Sequence, residues 1–315
     1  CNCLRKKYVF TLNMDLLLPA FESEAQFGEF FTKCMDRLYN DVEEDDKEEI
    51  MAAIDGVIEG GNCYIVPMIR PVDSSTALEF SKNLDIISRD LSFRRSRKYN
   101  LQGLSTKTAE EDAIMIMSGD VVAVQNNYNL AWAFNRSYLD LFNKGQMIVT
   151  DSQALADNRV FGMYTDTDYF RIHPAKGFPK LKMWENGENL EEKRWLHVWK
   201  MINFSYASNA IAFVEPKDIG VDKVELFTKD GKTAATVKKG KFLLLGIAKV
   251  SPEVGKLADA FCEYSIEGNT SDKTKIDKYN GTLYVAPDET ATTITITGKS
   301  HLDNSKTGTL KVTVQ

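Results

Sequence analysis

The feature that most constrains this fold is a long apolar pattern of helical period near the start of the chain. The sequence SEAQ at residues 23–26 has the form of a capping box, which satisfies free N–H groups at a helix start. Apolar residues then follow helical spacing at Phe27, Phe30, Phe31, Cys34, Leu38 and Val42, and after an acidic stretch the same spacing resumes at Ile50, Ala53, Ile54, Val57 and Ile58. Gly60-Gly61 is a typical stop. The pattern predicts a helix over residues 24–59, a rod of about 50 Å unless Asn40-Asp41 breaks it. Its acidic stretch, Glu43–Glu49, is expected to face solvent.

A second helix is indicated further along the chain, where Thr76 and Glu79 form another capping box. The apolar residues that follow share one helical face: Ala77, Phe80, Leu84, Ile87 and Leu91. The segment FRRSRKY at residues 93–99 comes next and is the only dense basic cluster. Its flanking aromatic residues permit base stacking or phosphate contact, but we favour a solvated loop or a contact with a neighbouring subunit. The candidate subunit contacts are Arg94, Arg95, Arg97 and Lys98.

The middle of the chain mixes short strand-like runs with helical pieces, which indicates an α+β domain. Strands are predicted at residues 113–117, 147–150 and 160–164, and helices around residues 121–134 and 137–142. Residues 195–205 alternate well enough for a strand, yet they are numerous enough for a helix. We predict a strand there, followed by a turn and a further strand at Ala210–Val214.

The composition changes at residues 215–220, which resemble a linker. Beyond them the chain consists of short alternating runs and turn residues, with a hairpin-type turn at Asp230-Gly231. Such spacing predicts an antiparallel β-sandwich over residues 221–315. Because this part has no Arg and its own apolar pattern, we expect it to be an autonomous unit.

Charge and composition exclude several classes of protein. The formal net charge is −6, and the first 215 residues carry 24 basic and 32 acidic groups. Proteins that wrap nucleic acid need clustered Lys and Arg, so tight DNA binding is not expected. No run of apolar residues is long enough to cross a membrane. The chain starts at Cys1 without a signal peptide, so it is expected to begin partway into a longer protein.

The five cysteines and three histidines form no pattern typical of a catalytic or metal site. Cys1 and Cys3 are a C-x-C pair with no second cluster nearby, whereas Cys34, Cys63 and Cys262 have apolar neighbours and fit a reducing cytosol. His173, His197 and His301 belong to no H-E-x-x-H, G-x-S-x-G or P-loop motif. Asp166 and Asp168 are expected to lie in a solvated turn. We predict no enzyme, no catalytic residue, no cofactor and no metal.

Several segments carry a resemblance to a known family. They are LHVW at residues 196–199, SNAIAFV at 208–214, SSTALEF at 74–80, AWAFNR at 131–136 with Leu139, and VTD at 149–151. In order and spacing they resemble the capsid domain of phi-twenty-nine-like podoviruses over residues 8–214. The segments VKKG at 237–240, EYSIEG at 263–268, YNGTL at 279–283 and TTITIT at 292–297 resemble a bacterial Ig-like domain of group 2. That family usually has Trp where this chain has Tyr264.

The resemblance implies the Hong Kong 97 capsid fold, with a capsid domain over residues 1–214. Residues 24–59 would be the spine helix, 74–193 mainly the axial domain, and 194–214 a return to the peripheral domain. The N-terminal arm and extended loop of that family are not recognisable here. Implied partners are other copies in hexamers and pentamers, a scaffolding protein, a portal and weakly contacted double-stranded DNA. The implied location is the virion, after assembly in the host cytoplasm, with the Ig-like unit outside.

Two other classes of protein remain open from the sequence. A bacterial surface adhesin or wall-bound enzyme also carries Ig-like modules, and it predicts a secretion signal and an anchor in the full gene. A phage tail or decoration protein is the other alternative, which the capsid-like segments before Pro216 disfavour.

Overall fold

The structure, a computed structural model, describes the chain except for residues 1, 18, 20, 22, 94, 134–145, 151–154, 187 and 189–190. The helices are α1 (Met14–Leu17), α2 (Glu24–Glu59), α3 (Ser74–Phe93) and α4 (Gly119–Ala133). The strands up to residue 214 are β1 (Asn2–Asn13), β2 (Tyr64–Pro67), β3 (Ala113–Ser118), β4 (Gln146–Thr150), β5 (Val160–Asp166), β6 (Phe170–Pro174), β7 (Lys180–Asn186), β8 (Glu191–Phe204) and β9 (Ala210–Val214). The C-terminal strands are β10 (Lys223–Glu225), β11 (Ala234–Val237), β12 (Phe242–Leu243), β13 (Lys249–Ser251), β14 (Cys262–Glu267), β15 (Lys275–Ile276), β16 (Leu283–Tyr284), β17 (Thr293–Ser300) and β18 (Thr307–Val314).

The chain divides into two compact units. Unit 1 comprises Cys1–Ile54 and Phe170–Ser205, and unit 2 comprises Asp55–Tyr169 and Tyr206–Gln315. The C-terminal segment thus belongs to the same compact unit as the central sheet, and its standing as a separate Ig-like domain stays a prediction.

Helix α2 continues through Asn40-Asp41 without a break. It begins where Ser23 Oγ accepts a hydrogen bond from the backbone N–H of Gln26 at 3.3 Å. It ends in a Schellman motif, in which the N–H of Gly61 donates to the carbonyl of Ile58 at 3.0 Å and the N–H of Asn62 donates to the carbonyl of Val57 at 2.9 Å. Gly61 takes the positive φ of 65° that this motif requires.

In unit 1, α2 lies on an antiparallel sheet in which β8 is central. Strand β1 pairs with one edge of β8, and both β6 and β7 pair with the other. The strand predicted at residues 195–205 is confirmed over residues 195–204, which lie in β8. Residues 170–193 lie in unit 1 because β6 and β7 are hydrogen-bonded to β8, which differs from the predicted axial span of 74–193.

Unit 2 contains a five-stranded sheet in the order β2-β9-β5-β3-β4, with β2 parallel to β9 and β3 parallel to β4. Residues 210–214, predicted to return to the peripheral domain, form β9 in this sheet because they pair with β2 and β5. The predicted apolar face of α3 is buried. Its cap is Asp73 rather than Thr76, because Asp73 Oδ1 accepts the N–H of Thr76 at 2.8 Å. The helix predicted at residues 137–142 lies outside the described residues.

The C-terminal segment forms a β-structure with its own apolar core. Its sheets have the strand orders β11-β18-β17-β14, β12-β16-β15 and β10-β13. Buried core side chains come from all three sheets, among them Val224, Tyr264, Leu283, Ile296 and Val312. The predicted linker at residues 215–220 is hydrogen-bonded, since the N–H of Gly220 and the carbonyl of Asp218 both bond to Leu257 at 3.0 and 2.8 Å.

Candidate assembly surfaces

Of the residues considered for chemistry, Asp166 has structural hydrogen-bond partners. Within the described part of the chain, no three His, Cys, Asp or Glu side chains are grouped so that they could hold a metal ion. None of the described helices has the length and apolar character of a membrane span. Asp166 accepts hydrogen bonds from Thr108 Oγ1 at 3.1 Å and from the N–H of Asp168 at 2.9 Å, which stabilises a turn.

Of the three cysteines with apolar neighbours in the sequence, two are buried. Cys63 and Cys262 are buried and free, Cys34 is half-buried, and Cys3 is exposed. Cys1 lies outside the described residues. Burial raises the pKa of Cys262 to about 12, which leaves this thiol unreactive at neutral pH.

A buried polar cluster connects β2 with the C-terminal segment inside unit 2. The carboxylate of Asp259 is inaccessible and accepts hydrogen bonds from the N–H groups of Ile65 and Phe261 at 2.7 and 2.6 Å. His301 Nε2 lies 3.0 Å from the carbonyl oxygen of Ile65, and its Nδ1 lies 2.9 Å from Tyr64 Oη. Burial raises the pKa of Asp259 to about 8, although the two N–H groups oppose this, and burial lowers the pKa of His301. Sequence periodicity could not reveal this cluster, because its members are some 194 to 237 positions apart.

The basic segment at residues 93–99 is only partly available for contacts with other molecules. Arg97 Nε donates to the carbonyl of Gly103 at 2.6 Å, and its guanidinium pairs with Asp277. The same group lies 5.6 Å from the ring centroid of Tyr279. Burial would raise the pKa of Asp277, but hydrogen bonding to Arg97 and to backbone N–H groups outweighs it and lowers this pKa. Arg97 therefore attaches this loop to the C-terminal segment.

The other basic side chains of this segment differ in their surroundings. Lys98 Nζ lies 3.2 Å from Tyr99 Oη and over the Tyr99 ring. Arg95 is exposed, and Phe93 is 87% exposed beside it. Arg94 lies outside the described residues. Arg95 and Lys98 are thus the exposed members of the predicted set among the described residues, whereas Arg97 is half-buried.

In unit 1, α2 contacts one face of the sheet through an apolar cluster and an ionic one. Leu38 of α2 packs on Leu196 and Val198 of β8, and all three are buried. Beside them, the ammonium group of Lys6 lies 3.1 Å from carboxylate oxygens of both Asp45 and Glu49.

The ionic cluster also includes Tyr8, which donates to Asp45, and Lys200, which pairs with Asp46. The hydrogen bond from Tyr8 and the nearby charge of Lys6 lower the pKa of Asp45. Burial and the positive charge of Lys6 lower the pKa of Lys200. The prediction that the acidic stretch faces solvent is therefore wrong for its side chains that contact the sheet.

The opposite face of the sheet, which we call the outer face, carries cations around a row of rings. Along β8 the side chains on this face include Trp195, His197, Trp199 and Met201, and at the start of the strand Lys193 pairs with Glu191 on the same face. The neighbouring strands align cations with them: Arg5 opposite Trp199, Lys7 and Lys180 opposite His197, and Lys182 opposite Trp195. These four cations are exposed and have no carboxylate partner among the described residues.

The rings of the outer face are covered in part by their own chain. Arg5 lies 4.6 Å from the Trp199 ring centroid, and Phe178 stacks on the same ring at 4.3 Å. Lys180 lies 5.2 Å from the ring of Phe178. Trp199 nevertheless remains 37% exposed. This face could not be predicted from the sequence, because its cations lie far apart along the chain and only the strand register brings them together.

Comparison with known proteins identifies the family. A family model described as the Phi29-like phage major capsid protein matches residues 2–214. The chain belongs to this family. The match begins in β1 and ends with the last residue of β9, so membership in the Phi29-like phage major capsid protein family covers the helix-on-sheet layer and the central sheet. The resemblance found in the sequence over residues 8–214 is confirmed.

Major capsid proteins of two Bacillus phages are similar to this chain. The major capsid protein of Bacillus phage PZA is 29% identical over 209 residues, which cover 66% of this chain and 45% of that protein. The major capsid protein of Bacillus phage GA-1 is 26% identical over 267 residues, which cover 82% of this chain and 54% of that protein. The chain therefore spans about half the length of the curated relatives it matches.

Solved structures share the fold. A chain in the capsid structure of Staphylococcus phage Andhra is similar with a TM-score of 0.53 and 14% identity, covering 67% of this chain and 70% of that one. A chain in the structure of the head fiber and inner core protein gp22 of bacteriophage P68 has a TM-score of 0.51, with 14% identity and 68% and 71% coverage.

Proposed function

We propose that the protein is a structural subunit of a phage head, and that its copies assemble into hexamers and pentamers of an icosahedral shell around double-stranded DNA. The observation that carries this proposal is the family match across residues 2–214. The rest of the described chain agrees, because its polar clusters have structural partners instead of forming a site for chemistry. The family match also disfavours an adhesin, a tail protein or a decoration protein.

We infer a Hong Kong 97-type organisation for this subunit. Helix α2 has the length expected of a spine helix and packs on an extended strand, β8. In this proposal unit 1 corresponds to the peripheral domain, and the sheet and helices of residues 55–169 belong to the axial domain.

The C-terminal segment is proposed to be an Ig-like module on the outside of the shell. Its two larger sheets share one buried core. Tyr264 lies in that core with 8% exposure, where the Ig-like family has an aromatic residue. The match to the GA-1 protein covers 82% of the chain and so extends beyond residue 214.

The proposed partners are further copies of the chain, a scaffolding protein and a portal during assembly in the host cytoplasm, with no membrane. We propose that Arg94, Arg95, Arg97 and Lys98 serve subunit contacts, and that Arg97 does so indirectly through its bond to Asp277. DNA binding by the isolated protein is proposed to be weak and independent of sequence, because residues 1–215 carry excess negative charge.

Electron microscopy of the full-length protein, expressed together with its scaffolding protein, tests the proposal. Closed shells, hexamers and pentamers are expected, and a strictly monomeric product would contradict it. Replacing Arg94, Arg95, Arg97 and Lys98 by Ser should reduce assembly more than DNA retention. A sub-micromolar, steeply salt-dependent affinity for duplex DNA that this variant loses would show that the basic segment is a DNA site instead.

A further inference from the structure

The outer face of the unit 1 sheet has a shape defined by its strand register. Cations of β1 and β7 form two columns, with the ring-bearing strand β8 between them. Neighbouring strands are about 4.8 Å apart, so the two columns are about 10 Å apart. An α-helix with its side chains is also about 10 Å wide. The face therefore has the width of one helix, with positive charge along both sides.

An acidic helix surface that complements this face in charge and width is present in the same chain, on α2. Asp41, Glu44 and Glu48 are exposed on α2 and have no ion-pair partner among the described residues. Spacings of three and four place them on one side of the helix, where they extend over about 10 Å. We call them the acidic stripe. It is distinct from Asp45, Asp46 and Glu49, which pair with the inner face of the sheet.

From these two surfaces we propose that the outer sheet face of one subunit binds the acidic stripe on α2 of a neighbouring copy. Within one subunit α2 already contacts the inner face of the same sheet, so its stripe cannot reach the outer face. A second copy is therefore required. Two different surfaces meet in such a contact, and repetition of it closes into a ring when the rotation between copies permits. This inference rests on the proposed function and assigns it a subunit contact.

Nucleic acid is the competing occupant of a cationic face that carries tryptophans. The observations favour a protein helix, because Phe178 and Arg5 already cover the ring of Trp199, on which a base would stack. Opposed charges at an interface chiefly determine specificity and register, which repeated copies of one subunit need.

Charge exchange between the two surfaces tests the contact. The sheet variant combines Lys7→Glu with Lys182→Glu, the stripe variant combines Glu44→Lys with Glu48→Lys, and a third protein carries all four changes. Each double variant should form at least about tenfold fewer shells than the wild type, because like charges then meet. The fourfold variant should recover shells to within about threefold of the wild type, because attraction is restored with reversed signs. Shells are counted by electron microscopy and sedimentation of full-length protein expressed with its scaffolding protein.

A matched control places the same charge change elsewhere. Lys238→Glu with Lys239→Glu alters two exposed lysines of the C-terminal segment and should leave shell yield unchanged. An equal loss in this control would attribute the effect to net charge and overturn the contact. If both double variants form shells at the wild-type yield, the proposed contact is wrong but the proposed function stands. If the sheet variant forms shells that retain less DNA, the outer face binds DNA and the proposed contact is also wrong. A wild-type protein that stays monomeric would overturn the proposed function as well.

Discussion

At the scale of single residues, Asp259 binds its proton more tightly in the folded protein than in the unfolded chain. Burial raises its pKa to about 8, whereas the pKa of an exposed aspartate is about 4. Between these values the folded state holds a proton that the unfolded state has released, so the free energy of unfolding falls as pH rises. His301 acts in the opposite sense below about pH 6.5, because burial lowers its pKa. Between about pH 6.5 and 8, the pH dependence of the free energy of unfolding therefore comes mainly from Asp259 rather than from His301.

Asp259→Asn should remove this pH dependence between about pH 6.5 and 8, as measured by urea unfolding. At the acidic end it should also lower stability by about 1–3 kcal/mol, because an amide has one acceptor oxygen for the N–H groups of Ile65 and Phe261. Asp230→Asn, in an exposed turn, is the matched control and should keep the wild-type slope. A wild-type slope in Asp259→Asn would contradict the assignment.

Arg97 and Arg95 should respond differently to the same substitution. Arg97→Ser removes the hydrogen bond to Gly103 and the ion pair with Asp277. The free energy of unfolding should therefore fall by about 1–2 kcal/mol. Arg95→Ser removes an exposed side chain and should change stability by less than about 0.5 kcal/mol. Thermal unfolding of the two variants distinguishes these roles, and equal melting temperatures would show that Arg97 does not attach its loop.

At the scale of elements, the attachment of α2 to β8 depends on few apolar side chains. Leu196 is 1% exposed and packs on Leu38. Leu196→Ala should therefore lower the free energy of unfolding by about 2–5 kcal/mol, measured by chemical denaturation. Thr11→Ala, an exposed position of β1, is the control and should change it by less than about 0.5 kcal/mol. A loss below about 1 kcal/mol for Leu196→Ala would mean that ion pairs, rather than apolar packing, hold the helix.

Elements with local signals could be predicted from the sequence. The bounds of α2 and the buried side of α3 follow from apolar periodicity, and the alternation within β8 indicated a strand. The parallel pairs β2–β9 and β3–β4 could not be predicted, because each joins segments that are distant in sequence. The cations of the outer face and the basic partners of the acidic stretch could not be predicted for the same reason, since they come from strands that are distant in sequence and meet only in the folded sheet.

At the scale of the whole molecule, the C-terminal segment has its own core but also completes the surface of β2. Asp259 and His301 bond to Ile65, and Phe261 packs against the core of the central sheet. A chain that ends at Val214 should still form shells, yet it should melt several degrees lower, because Ile65 loses a buried acceptor. Calorimetry measures the shift, and an unchanged melting temperature would mean that these contacts contribute nothing to the stability of residues 1–214.

The alternation of β8 has a consequence for the ways in which the gene can vary in length. Even-numbered residues of this strand face α2 and odd-numbered ones face outward, so one inserted or deleted codon within it would exchange Leu196 and Val198 for rings and charges. Selection should remove such changes. The turn at residues 205–209 can lengthen without altering either surface, whereas the connection at residues 175–179 cannot, because Phe178 stacks on Trp199. Homologous genes should therefore differ in length at residues 205–209 and keep a constant codon count from there back to the centre of β8.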